Sequence, residues 1–145
     1  HLKGILFELP AIAELARTHI KAAGLSNRLR IEGGTALNDE VPPGADAYIL
    51  RHVVHDWNDE DTIKILTNCG KAAGPKAKIL VVEFVIPKGN EPNFGKWLDL
   101  MMLCYGGKER TEEEYRRLYT KAGLKLTRVV PTKMPISVVE GVVAD

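Results

Sequence analysis

Asp46-Ala47-Tyr48-Ile49-Leu50-Arg51-His52-Val53-Val54-His55-Asp56-Trp57-Asn58-Asp59-Glu60 opens as a buried-strand run, turns through two histidines and passes into a helix. Asn58 is a good N-cap, and Asp59, Glu60 and Asp61 put negative charge in the first turn, where the helix dipole favours it. A strand that ends in a polar turn and leads into a helix is the repeating unit of an α/β sheet. Ligands of such sheets bind beyond the carboxyl ends of the strands. His55, Asp56 and Trp57 stand at one of those ends.

The flanking chain repeats the unit. Gly4 to Glu8 reads as a strand, and Pro10 opens a helix at the position where a missing N–H costs nothing. Ile12, Leu15, Ala16, His19 and Ala23 recur at helical spacing and are expected to face the core, with Gly24 as the stop. A second strand follows at Leu29 to Glu32, then the loop Gly33-Gly34-Thr35, a Pro42-Pro43-Gly44 break, and a third strand at Ala47 to Leu50. The helix after Asn58 has Ile63, Leu66, Cys69 and Ala73 as its apolar stripe. Lys78 to Val85 is a continuous apolar run with one acid, Glu83, which suits a strand buried on both faces of a parallel sheet.

Phe94 to Cys104 reads as an apolar helix in which Trp97, Met101 and Met102 are core residues by default, or else line a pocket for a flat substrate. Thr111 and Glu114 form a capping box ahead of a stripe of Tyr115, Leu118, Tyr119 and Ala122. Two strands, Leu124 to Val130 and Ser137 to Val143, close the chain. Only a short turn joins them, so they must be antiparallel. The whole predicts an α/β fold, a mostly parallel sheet with helices on both faces and an antiparallel C-terminal pair.

Composition narrows the partners. The 145 residues are 45% hydrophobic and 27% charged, as in one globular domain, and 20 basic against 19 acidic residues leave a net charge of +1. No basic cluster points to nucleic acid or to an anionic membrane, and the longest apolar run is far too short to span a bilayer. Two distant cysteines, Cys69 and Cys104, suggest no disulfide framework and a reducing, cytoplasmic setting. The chain lacks an initiator Met and enters a strand within four residues, so it is expected to be an excerpt of a longer protein.

Polar residues cluster at the strand ends: Glu8, Thr35, Arg51 to Asp56, and Glu83. His55 can take a proton from a hydroxyl near neutral pH, provided a carboxylate fixes its tautomer. Glu83 is a candidate for that carboxylate, because an unpaired acid inside an apolar strand is costly. The plainer alternative is that His55 starts a turn and Glu83 reaches solvent. His52-x-x-His55-Asp56 could suggest a metal, but no further ligands stand at zinc-like spacing, and none is expected. Gly106 to Thr111 reads from spacing alone as a loop and helix start, with Glu109 favoured there by the helix dipole.

Taken together, Phe7-Glu8-Leu9-Pro10, Gly33-Gly34, Leu50 to Glu60, Gly106-Gly107-Lys108-Glu109-Arg110-Thr111 and Glu140-Gly141 resemble the catalytic domain of the S-adenosylmethionine-dependent O-methyltransferases of the caffeate and hydroxyindole type. The resemblance runs nearly end to end. It implies that residues 1–145 are part of such a domain, with a Rossmann-like methyltransferase sheet. It implies transfer of a methyl group from S-adenosyl-L-methionine to a hydroxyl, typically phenolic, of a small molecule. His55 would be the general base, flanked by Glu83 and Glu109. Asp56 and Met102 would adjoin the substrate.

On the cofactor side the resemblance implies Glu8, with Leu9 beside it, for the ribose hydroxyls, then Thr35 and Ala36 near the adenine, and Arg51. The family usually has Asp where Thr35 stands and Met where Ala36 stands, which leaves room for a catalytically silent relative that binds or dimerises. The resemblance also implies a homodimer in the full-length protein. The family's first strand and glycine-rich loop have no counterpart in this sequence. That strand would lie between those ending at Glu8 and Leu50, and without it the piece alone is expected to bind cofactor weakly and to be inactive.

Overall fold

The computed structural model describes residues 1–144. Its elements are β1 (Gly4–Glu8), α1 (Pro10–Ala22), β2 (Leu29–Gly33), β3 (Ala47–Arg51), a 3₁₀ turn (Val54–Asp56), α2 (Asp59–Ala72), β4 (Lys78–Ile86), α3 (Phe94–Leu103), β5 (Arg110–Thr111), α4 (Glu112–Lys121), β6 (Leu124–Pro131) and β7 (Ile136–Val143). The start signals act as read. The Asn58 side chain accepts from the Asp61 N–H, and Thr111 and Glu114 close a reciprocal capping box.

The strands form two groups. β1 and β2 pair in parallel by themselves, and β3-β4-β7-β6 make a second sheet to which β5 adds a parallel contact on β4. β3 and β4 are parallel, whereas β7 runs antiparallel to both β4 and β6. β1 and β3 are not hydrogen-bonded to each other. The 34–39 loop ties the groups together: the Asn68 side chain on α2 donates to the Ala36 carbonyl at 2.9 Å, and Lys64 Nζ reaches Asn38 Oδ1 at 3.2 Å.

The core fills one face of the larger sheet. Ile79, Val81 and Val139 meet Ile65, Leu66 and Cys69 of α2 and Tyr115, Leu118 and Tyr119 of α4. Fully burying one such aliphatic side chain is worth about 1.5–3 kcal/mol. Gly141 lets α4 come close, because a Cβ there would strike the Tyr119 ring. The Tyr119 hydroxyl donates to the Val139 carbonyl at 2.9 Å, so the ring is placed at both ends.

Several expected core positions lie elsewhere. On α1 only Ala13 is buried, while Ile12, Leu15 and His19 are exposed. Trp97 is 70% exposed and Met101 is exposed too, so neither belongs to the core; Met102 is buried. The stripe of α2 is turned slightly, to Thr62, Ile65, Leu66 and Cys69, leaving Ile63 and Ala73 half-buried. Along β3 the side chains alternate, with Tyr48 and Leu50 buried and Ile49 exposed. Periodicity identifies which side of an element is apolar; what covers that side depends on neighbours.

Candidate active site

The site is built where β3 gives way to α2. His52 follows β3 with φ 51°, the one left-handed non-glycine among the described residues, a conformation that costs on the order of 1 kcal/mol or more outside glycine. The chain then closes the 3₁₀ turn, with Val54 fully buried as its anchor. His55 projects from this turn and is itself buried.

Two acids reach it from different strands. Glu83 of β4 is 0% exposed, and its Oε1 accepts the Val53 N–H at 2.9 Å. Glu109 arrives through β5, whose pairing of Arg110 with Val85 brings the segment alongside β4. Three backbone donors fix the approach. Gly107 N–H donates to the Met102 carbonyl at 2.9 Å and Lys108 N–H to the His55 carbonyl at 2.7 Å, and Glu109 N–H donates to Asp99 Oδ1 at 2.8 Å. Gly107 is required here, since a Cβ would collide with the His55 carbonyl.

His55 Nδ1 lies 2.7 Å from Glu109 Oε1 and 3.6 Å from Glu83 Oε2. Its Nε2 is turned toward exposed Asp56, whose Oδ1 is 3.6 Å away. The hydrogen bond to Glu109 raises the basicity of His55; burial opposes this, and the charges of Glu83, Glu109 and Asp56 add to it. Burial pushes Glu83 up to about 7, against the pull of His55 and the Val53 N–H. Oε2 of each glutamate and the Tyr115 hydroxyl are buried without a hydrogen-bond partner. A carboxylate that accepts the Nδ1 proton would leave the Nε2 lone pair outward, the arrangement a proton acceptor needs.

Arg110 locks the turn from behind. Its side chain is fully buried and donates to the carbonyls of Val54 at 2.9 Å and Trp57 at 2.8 Å, and to Asp59 Oδ1 at 2.9 Å. Nothing in the spacing singled this residue out, although it lies inside the Gly106–Thr111 motif. Asp99, which anchors Glu109, likewise looked like any polar residue of an apolar helix.

Of the residues singled out in the sequence, His55, Glu83 and Glu109 form one cluster, with Asp56 at its rim. Met102 is buried beside it and holds Gly107 through its carbonyl. Arg51 is exposed at the end of β3. Glu8, Leu9, Thr35 and Ala36 form a second group at the ends of β1 and β2, where the Gly34 N–H donates to the Glu8 carbonyl at 2.8 Å. His52, His55 and Glu83 each bring one ligand atom within 4.8 Å of the others, a grouping the sequence did not show. The His55 nitrogen on that side is already committed to Glu109.

In the second group Glu8 could hold the hydroxyls of a cofactor. Glu8 is half-buried with Oε2 on the Leu9 N–H at 2.7 Å, so its orientation is set and its other oxygen is left to accept hydroxyl protons. Thr35 instead serves its own loop: its N–H donates to Asp39 Oδ2 at 2.8 Å, and its Oγ1 accepts the Leu37 N–H at 3.3 Å.

The sequence pattern of the O-methyltransferase domain family matches residues 1–125, and the chain belongs to that family. It is similar to the phenazine O-methyltransferase PhzM of Lysobacter antibioticus, 44% identical over 139 residues, which cover 95% of this chain and 40% of that protein. The mitomycin biosynthesis 6-O-methyltransferase of Streptomyces lavendulae is 36% identical over 141 residues, 96% of this chain and 40% of that protein. An O-methyltransferase from neocarzinostatin biosynthesis, solved with S-adenosylmethionine and 2-hydroxy-5-methyl naphthoic acid, superposes with a TM-score of 0.88 at 36% identity, over 98% of this chain and 42% of that one. The chain thus spans about 40% of the length of the curated relatives it matches.

Proposed function

We propose that this chain is the part of an O-methyltransferase that holds the general base, His55, and part of the cradle for S-adenosyl-L-methionine, and that the acceptor is a phenolic hydroxyl of a small molecule. The observation that carries this reading is the His55 imidazole, tied to Glu109 at Nδ1 and turned at Nε2 toward exposed Asp56, 3.6 Å away. Nε2 accepts the hydroxyl proton as the oxygen becomes a nucleophile. Glu109 stabilises the imidazolium that results, with Glu83 beneath it. General-base help of this kind contributes roughly 10²–10⁴-fold.

Glu8 would hold the ribose hydroxyls, with Leu9, Thr35, Ala36 and Arg51 around the rest of the cofactor. When bound, the cofactor supplies an electrophilic methyl group. Asp56 and Met102 border the acceptor. The aromatic hydroxy acid bound by the neocarzinostatin enzyme supports an aromatic acceptor. The exposed apolar row on α3 supports a homodimer of the intact protein, and two free thiols fit a reducing, cytoplasmic setting.

A silent relative is the second reading, favoured by Thr35, which spends its polar atoms within its own loop. Methyl transfer from labelled cofactor to a panel of phenols by the intact protein separates the two. The expected result is turnover that falls at least about 10²-fold in His55→Ala. Turnover that survives this change removes His55 as the base, and cofactor binding without turnover favours the silent reading.

A further inference from the structure

The His55 cluster contains one residue more than the proposed reaction uses. His52 Nδ1 stands 3.2 Å from Glu83 Oε2, and its ring centroid is 5.3 Å from that of His55 and 6.1 Å from that of Phe84. The His52 side chain is 34% exposed while Glu83 is 0% exposed. The imidazole thus sits between the carboxyl and solvent. Its left-handed backbone, at φ 51°, is held in place by the His52 N–H donating to the Val82 carbonyl at 3.3 Å. A strained non-glycine backbone persists where the surroundings over-determine it, commonly at a functional site.

We propose that His52 is a positioning residue whose ring caps the Glu83 carboxyl and keeps it dry, so that Glu83 gives up its proton less readily than an open carboxyl would and Glu109 is the nearer partner of His55. The chemistry of a base requires this asymmetry. A second carboxylate charge beside the imidazole would stabilise the imidazolium further, and an imidazolium cannot accept a proton.

The two acids are built differently in the ways this requires. Glu109 makes the 2.7 Å contact to Nδ1, whereas Glu83 is 3.6 Å away and has an oxygen without a hydrogen-bond partner. Burial is the main cause of its raised proton affinity, and His52 is part of what buries it. The other charged or titratable groups around the cluster are Arg51 and Asp56 on the flanking turn, Asp99 of α3 behind Glu109, Arg110 of β5 and Tyr115 of α4. Arg110 is already engaged by Asp59, and the Tyr115 hydroxyl is pushed well above its ordinary value by burial, so neither supplies Glu83 with a compensating charge.

This inference takes its meaning from the base assigned to His55, but the test needs neither substrate nor cofactor. The ring signals of His55 and the carboxyl carbon of Glu83 are followed by NMR against pH in four chains: wild type, His52→Phe, His52→Gly, and His52→Gly with Glu83→Gln. Glycine relieves the backbone and removes the cover; phenylalanine keeps the cover without a titrating nitrogen.

The expected result is that Glu83 in wild type stays protonated well above the ordinary carboxylate range. In His52→Gly it ionises earlier, and the His55 midpoint rises by about one unit, the effect of a new adjacent charge. His52→Phe keeps the wild-type midpoint, and the double variant returns to it. An ordinary Glu83 titration in wild type would overturn the proposal, even if the glycine variant failed to fold. So would an unmoved His55 midpoint in His52→Gly, a shift in His52→Phe equal to that in glycine, or a shift that survives Glu83→Gln. Loss of methyl transfer alone would bear on the base assignment and not on this one.

Discussion

His55 Nδ1 and Glu109 Oε1 are 2.7 Å apart, although 54 positions separate them in the chain. The contact joins the turn after β3 to the residue just before a strand of two residues, and both ends are pinned through backbone N–H donors: Lys108 N–H to the His55 carbonyl and Glu109 N–H to the Asp99 carboxylate. The imidazole is aligned by secondary structure, with little left to side-chain rotation.

Glu109→Gln keeps an acceptor near Nδ1 and removes the charge. His55 is raised in the folded chain chiefly by this hydrogen bond, so its contribution to stability is fully present below its ordinary value and is lost as pH rises through the raised one. The variant should therefore be least stable relative to wild type in mildly acid solution and converge with it in alkaline solution. Urea unfolding at a series of pH values measures this. In the intact enzyme the acid limb of kcat/KM should move to lower pH by about one unit. A limb that stays in place would show that the charge of Glu109 does not set His55.

Glu83 gives a second pH signature. Its carboxyl rises from 4.5 to about 7 on folding because it is buried. A raised acid favours the folded state below its unfolded value, and the advantage fades as pH climbs to the folded one. Wild type should lose roughly 1–3 kcal/mol between pH 4.5 and 7, coupling to His55 taking up part of the full shift. Glu83→Gln cannot ionise, so its stability should fall less across the same window. Parallel curves for the two chains would mean that Glu83 is not raised.

The strands were legible because apolar runs bounded by breakers need little context, and the two capped helices because their start signals are local. The face that α1 buries was not legible. Ile12 and Leu15 form an apolar stripe, yet they are exposed, since spacing describes a helix and not its neighbours. Glu109 looked ordinary because it stands in a loop, just before a strand of only two residues; only the resemblance drew attention to it. The left-handed backbone of His52 left no trace either, because residues other than glycine adopt it too seldom for a sequence to signal it.

The apolar surface of α3 carries a third prediction. Phe94, Trp97, Leu100, Met101 and Leu103 are all exposed on one short helix, with Tyr105 just after it. Contiguous apolar surface of this kind marks an interaction face or drives association. The chain should self-associate in sedimentation velocity, and Trp97→Lys with Leu103→Glu should shift it toward monomer without loss of fold, because neither side chain is in the core. Monomeric wild type at high concentration would count against a homodimer through this face.

Arg110 supplies the last prediction, on how the turn keeps its shape. Its guanidinium is wholly buried and satisfies the Val54 and Trp57 carbonyls together with Asp59. Arg110→Met would fill much of the volume and leave those carbonyls with only the longer contacts of the Thr62 hydroxyl, at 3.3 and 3.5 Å, at up to about 1–3 kcal/mol for each buried group. Arg110→Lys retains a charge but lacks the planar fork, so it can serve only some of the same acceptors. Unfolding in urea should rank the chains wild type, lysine, methionine. The His55 ring signals should broaden in the same order, because Val54 and Trp57 flank the segment that carries the imidazole. If methionine is as stable as wild type and the ring stays sharp, Arg110 does not hold the turn, and the backbone bonds from Gly107 and Lys108 suffice.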